Sequence, residues 1–144
     1  MNRKKPWLEN YPECASEELV FDPRGTLVKL LDEADTNYSS SEAFVNFGVS
    51  MKYEQVAKDS KSFAAYLQNV LGLRKGDRIA MMMPNLLQYP VAIFGALRAG
   101  LIVVNVNPLY TPRELEHQLR DSGAKTIVIF ENSAHVLQPV LDNV

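Results

Sequence analysis

Along DRIAMMMPNLLQYPVAIFGALRAGLIVVNVNPLYTPR, from Asp77 to Arg113, the apolar pattern changes character in steps. A short apolar run to Met83 is closed by Pro84, Leu86 to Leu97 is longer and apolar on nearly every side, and Leu101 to Val104 is a second short, uniformly apolar run. Length assigns the short runs to strands covered on both faces and the long one to a buried helix. Asn85 is predicted to cap that helix, with Gln88 three residues on completing an approximate capping box, and Gly100 to end it in the left-handed conformation. Thr111-Pro112-Arg113-Glu114 starts the next helix, with threonine as N-cap, proline at the first helical position and glutamate reaching back.

Alternation of strand and helix at this spacing predicts linked βαβ units, whose right-handed crossovers make a parallel sheet. The expected strands are Arg78–Met83, Leu101–Asn105 and Thr126–Phe130, with helices near 54–71, 86–99 and 112–122. The fold class is α/β, a parallel sheet with flanking helices. Pro84-Asn85 and Asn105 to Thr111 then share the carboxyl edge, where open α/β sheets bind ligands. Asn85, Asn107 and Thr111 read equally as caps and turn formers, which suit the same residue types for backbone reasons alone.

Elsewhere the pattern is plainer. Met1 to Gly25 has neither helical nor strand period and reads as an irregular arm carrying Pro6, Pro12, Pro23 and the aromatics Trp7, Tyr11 and Phe21. Thr26 should cap a helix with Leu27, Leu30, Leu31, Ala34 and Tyr38 on one face. Ala43–Phe47 and Val49–Met51 across Gly48 read as a small hairpin or a bent strand pair. Tyr53, Val56, Ser60, Phe63, Leu67 and Val70 form a helical stripe stopped by Gly72, with Lys58, Asp59, Lys61 and Gln68 opposite. Leu73-Arg74-Lys75-Gly76 is a tight basic turn. Leu115 and Leu119 pair at i, i+4, as do Glu116 and Arg120, before Gly123 ends their helix. Ser133 to Leu141 opens another helix.

A chain of 144 residues matches one domain and can bury on the order of 70% of its unfolded surface. A formal charge of -2 gives no basic field, so no nucleic-acid partner is expected. Cys14 is the only cysteine, which excludes an internal disulfide and a cysteine metal cluster. Arg3, Lys4 and Lys5 are followed by Pro6-Trp7-Leu8-Glu9 rather than the apolar core of a secretory signal, and no segment nears about 18 consecutive apolar residues. The expected setting is cytoplasmic. Trp7 and Tyr11 beside the basic residues leave open a peripheral contact with the inner face of the membrane, against the plainer role of pinning the arm to the body.

Motif chemistry is sparse. The sequence has no G-x-G-x-x-G turn, no G-x-S-x-G elbow, no H-E-x-x-H helix and no phosphate loop around Lys75. His117 and His135 lack a partner at motif spacing and read as surface histidines. Met81 to Met83 falls where a buried strand is expected. No catalytic or metal-binding residue is nominated, and cofactor-binding residues stay unassigned.

GDRIAMMMPNLLQYPVAIFGALRAGLIVVNVNPLYTPRELEHQLRDSGAKTIVI, from Gly76 to Ile129, closely resembles the N-terminal region of AMP-forming acyl-CoA synthetases, nearest to bacterial long-chain fatty-acid CoA ligases. The likeness extends upstream through Ala43–Phe47, Ser62–Gln68, Trp7-Leu8 and Tyr11-Pro12. The resemblance implies the first, incomplete subdomain of the synthetase N-terminal domain over 26–144, behind an arm at 1–25. It implies a parent enzyme that uses ATP and Mg2+ to make an acyl-adenylate and transfers the acyl group to CoA. The family's phosphate loop, adenine segment, ribose-binding aspartate and catalytic lysine are expected beyond this chain, so the chain alone should need no cofactor and be inactive. Asn85 and Asn107 to Arg113 match structural positions of the family, and Lys52 stands where many relatives carry a threonine cap. Fatty acid and CoA are the implied ligands of the whole enzyme, and the rest of the ligase, or a homo-oligomer, the implied stabilising partner. The alternative is a non-catalytic α/β binding or interaction module.

Overall fold

A computed structural model of the chain describes residues 5–12, 14–15 and 25–144. In chain order it contains a 3-10 turn at Pro6–Asn10, α1 (Leu27–Tyr38), β1 (Glu42–Asn46), β2 (Val49–Lys52), α2 (Tyr53–Asn69), β3 (Arg78–Met82), α3 (Gln88–Arg98), β4 (Ile102–Asn105), α4 (Pro112–Ser122), β5 (Thr126–Ile129) and α5 (Ala134–Leu137). The arm expected over 1–25 lies largely outside the described residues.

The predicted parallel sheet is present, with β3 in the middle and the order β4-β3-β5. Its alternation sorts the core into two layers. Ile79 and Met81 point to α2 and α3, packing with Ala64, Leu67, Ala92 and Ala96. Ala80 and Met82 point the other way, to Leu115 and Leu119 of α4 and Val136 of α5. Both faces of β3 are therefore covered, and Ile79 to Met82 are fully buried. This is why the strand reads as a continuous apolar run rather than an alternating one.

Start and stop signals act as expected at several ends. Thr26 Oγ1 accepts from the Lys29 amide at 3.0 Å. Thr111 accepts from the Glu114 amide while Glu114 Oε2 accepts from the Thr111 amide at 2.8 Å, a full capping box. Gly100 sits at φ +79, where the Leu101 amide reaches Ala96 O and the Gly100 amide reaches Leu97 O, closing α3 with a Schellman pair. Lys52 precedes α2 without a side-chain cap bond.

Four expectations need correction. Asn85 does not cap α3, which starts at Gln88 after Leu87 with no side-chain cap. The Leu86 amide instead bonds Pro84 O at 2.8 Å and the Tyr89 amide bonds Leu86 O at 3.0 Å, a turn that delays the helix. Pro90 then falls in the first helical turn, where its missing N–H removes no intrahelical bond. Secondly, of the face expected on α1 only Leu31 is buried, and Leu27, Leu30 and Tyr38 are exposed, because α1 meets α2 and α3 along a narrow line. Val70 of the α2 stripe is likewise exposed, lying past the helix end. Thirdly, β4 is an edge strand, so Ile102 is half exposed rather than covered on both faces. Fourthly, the helix expected over Ser133–Leu141 is broken into the short α5 and a 3-10 segment at Gln138–Asn143 that begins beside Pro139.

The hairpin β1–β2 is present and antiparallel, with a register break between Glu42 and Phe44. Its two turn residues, Phe47 and Gly48, both have positive φ (+48 and +78), as a type I′ turn requires.

Candidate functional site

Three parallel strands end on one side of the sheet, and the loops leaving them go to opposite faces. The chain after β3 turns to α3, while the chain after β4 crosses to α4 and that after β5 leads to α5 on the same face as α4. A crevice between such diverging loops is the usual ligand position in an open α/β sheet.

Asn105, the last residue of β4, ties the two sides of that edge together. Tyr89 Oη of α3 donates to Asn105 Oδ1 at 2.8 Å, and Gln118 Nε2 of α4 donates to Asn105 O at 2.8 Å. The buried Gln118 Oε1 has no hydrogen-bond partner among the described residues. Asn107 shapes the following loop: its Oδ1 accepts from the Leu109 amide at 3.0 Å and its carbonyl from the Tyr110 amide at 3.1 Å. Asn85 lies at the same edge, and its carbonyl accepts from Asn46 Nδ2 at 2.8 Å, which docks the hairpin against the β3–α3 loop. The sequence-nominated Asn85, Asn107 and Thr111 are thus gathered at one edge, as turn and cap formers. Tyr89, Asn46 and Gln118 escaped the sequence reading, because their partners lie 13 to 39 residues away and no local motif marks them.

An apolar groove of about 370 Å³ opens between the hairpin and α3, lined by Phe44, Val45, Leu86, Pro90, Ile93 and Phe94 among others. On the outer side of α4, Tyr110, Arg113, Glu114, His117 and Asp121 line a shallow open concavity. The Thr111 hydroxyl, then the Thr111 amide, holds the Glu114 carboxyl below its usual range, so Glu114 is a charged cap rather than a proton donor. His117 is exposed, and His135 is exposed with Nδ1 2.9 Å from Asn132 O.

Among the described residues no group of three His, Cys, Asp or Glu side chains could hold a metal ion. Gly72, Gly76, Gly100 and Gly123, which have positive φ, precede strands or end helices at the amino edge, away from the loops where a phosphate cradle would form. No helix of the described residues is long and apolar enough to cross a membrane.

Comparison with known proteins supplies the context. The long-chain-fatty-acid–CoA ligase of Salmonella typhimurium is 58% identical over 139 residues, 96% of this chain and 25% of that protein. The Bacillus subtilis ligase of the same name is 39% identical over 131 residues, 91% of this chain and 23% of the relative. The chain therefore spans about a quarter of the length of the curated relatives it matches. Among solved structures, a long-chain-fatty-acid-CoA ligase from Archaeoglobus fulgidus superposes with TM-score 0.78 at 27% identity, covering 87% of this chain and 27% of that one. A benzoate CoA ligase from Burkholderia xenovorans LB400 gives TM-score 0.76 at 25% identity, covering 81% and 24%. The AMP-binding enzyme family matches residues 31–144, the whole span from the first buried leucine of α1 through the parallel sheet to the last residue. With that match over most of its length, this chain belongs to the AMP-binding enzyme family.

Proposed function

We propose that this chain is the N-terminal part of a cytoplasmic long-chain fatty-acid CoA ligase, with an arm at 1–25 and the α/β scaffold at 26–144. The observation that carries it is the 58% identity over 96% of the chain to a ligase named for that activity. In such an enzyme a fatty acid and ATP give an acyl-adenylate and pyrophosphate, and the CoA thiol then displaces AMP. This chain's share is positional. The Tyr89–Asn105–Gln118 bonds and the Thr111 box fix the loops of the carboxyl edge, against which the ATP- and Mg2+-binding parts would pack. Catalysis by positioning and charge stabilisation needs those parts, so the chain alone has no adenylating activity.

The test is a chimera in which this chain replaces the matching segment of the Salmonella typhimurium ligase. Fatty-acid-dependent pyrophosphate exchange and acyl-CoA formation are expected from the chimera and neither from the isolated chain. A folded chimera without activity on long-chain acids, or exchange by the chain alone, overturns the reading.

A further inference from the structure

No residue of α1 belongs to either of the two core layers. Leu31, its one buried side chain, forms part of a separate seam where α1 meets α2 and α3. The polar bonds of α1 are mostly its own: Thr26 caps it, Lys29 lies 3.6 Å from Glu33, and the Thr36 hydroxyl donates to Asp32 O at 2.8 Å. Among the described residues, the hydrogen bonds that reach α1 from another helix or strand come from Arg98 alone, to both oxygens of Asp32.

The chain just after α1 is fixed. Ser39 O and Ser41 O accept from the Glu54 and Tyr53 amides at the start of α2, at 3.1 and 3.2 Å, and the Tyr38 and Tyr53 rings lie 6.4 Å apart. This anchorage supplies a pivot. Undocking α1 breaks one leucine seam and one ion pair, whereas opening the sheet breaks both core layers. A helix of 12 residues is marginal by itself in water, so α1 melts once it leaves α2 and α3. Segments with little apolar burial open at lower free energy than the core, and they open as cooperative units.

We infer that α1 is a separately opening strap, pivoting at Ser39–Ser41 and latched by Arg98 on Asp32. Its release exposes the Arg98 guanidinium and Ser60 while the sheet, α2 and α3 stay folded. The strap rests on contacts within this chain and holds whether or not the chain is part of a ligase.

The test is native-state hydrogen exchange of the purified chain, read by peptide mass spectrometry at several urea concentrations below the unfolding transition. After correction for intrinsic rates, the amides of 31–38 are expected to exchange roughly tenfold or more faster than those of 79–82, with a smaller urea slope because less surface is exposed. Two variants separate the latch from the core. Asp32→Asn weakens the latch and should speed exchange across α1 several-fold. Ile127→Val, in β5 against the second core layer, weakens the sheet without touching the strap, so it should speed exchange of β3 several-fold and leave that of α1 unchanged. Equal protection and equal urea slope in α1 and β3 of the wild type overturn the inference. So does exchange of α1 that rises in step with β3 in Ile127→Val, or that Asp32→Asn leaves unmoved.

Discussion

Arg98 of α3 grips Asp32 of α1 through both carboxylate oxygens while its Nε donates to Ser60 Oγ of α2 at 3.0 Å. One guanidinium thereby joins three helices. The Arg98 side chain is 10% exposed and that of Asp32 45%, so the pair is screened from one side only.

Asp32→Ala should destabilise the chain by roughly 1–2 kcal/mol in urea unfolding, more than the ~0–1 of an exposed pair because a buried guanidinium loses its anion. Hydrogen bonding to Arg98, opposed by desolvation and helped by the Arg98 and Lys61 charges, holds the Asp32 carboxyl below its usual range. A carboxyl lowered in the folded state contributes stability above its unfolded value and loses it as pH falls through the folded one. The melting difference between wild type and Asp32→Asn should therefore be full at neutral pH and shrink below about pH 4. A difference unchanged between pH 7 and pH 3 would remove Asp32 from the acid response.

Gly95 lets α3 approach α2. A Cβ there would lie 2.7 Å from Phe63 Cδ1 and 3.1 Å from Ser60 O, and the second atom is backbone. Gly95→Ala is expected to cost about 1–3 kcal/mol despite its better helix propensity, with partial rescue by Phe63→Leu. A stabilised Gly95→Ala would mean that the helices separate freely.

Caps give predictions of opposite sign. Thr111→Ala removes a working cap and should lower stability by about 1 kcal/mol. Lys52→Thr supplies one where α2 begins without a side-chain bond, at the expense only of an exposed 3.9 Å contact with Glu54, and should raise stability by about as much. Thermal melts of the two single variants decide it.

Ile102 is half exposed on the edge strand β4. Lys is a natural guard of such edges, so Ile102→Lys should reduce self-association in sedimentation while leaving the melting point within a few degrees. Unchanged association would direct attention to the other apolar surfaces, such as Leu27 and Leu30 of α1.

The parallel sheet was legible because burial on both faces leaves a mark in the sequence: Ile79 to Met82 has no polar position to spare. The α4 start was legible because all members of its box lie within four residues. What escaped depended on distant partners. Asn85 has a capping side chain, but Asn46 holds its carbonyl from the hairpin and the helix starts later. Leu27 and Leu30 have the right spacing for a buried face, yet periodicity cannot say how wide a neighbouring surface will be. Tyr89, Asn105 and Gln118 meet only once the sheet exists.

The place of β3 between β4 and β5 sets a schedule for the growing chain. One edge of β3 can close as soon as Ile102–Asn105 emerges, but the other waits for Thr126–Ile129. At roughly 5–20 residues per second, the ~50 residues from Arg78 to Ile129 take on the order of 3–10 s, against microseconds for local collapse. Throughout that interval the backbone of Ala80, Met81 and Met82 presents an open row of unpaired N–H and C=O groups to whatever is near the ribosome. Codon changes that slow translation between Asp121 and Thr126 lengthen the exposure, and they should increase aggregation during synthesis without altering a single residue of the product.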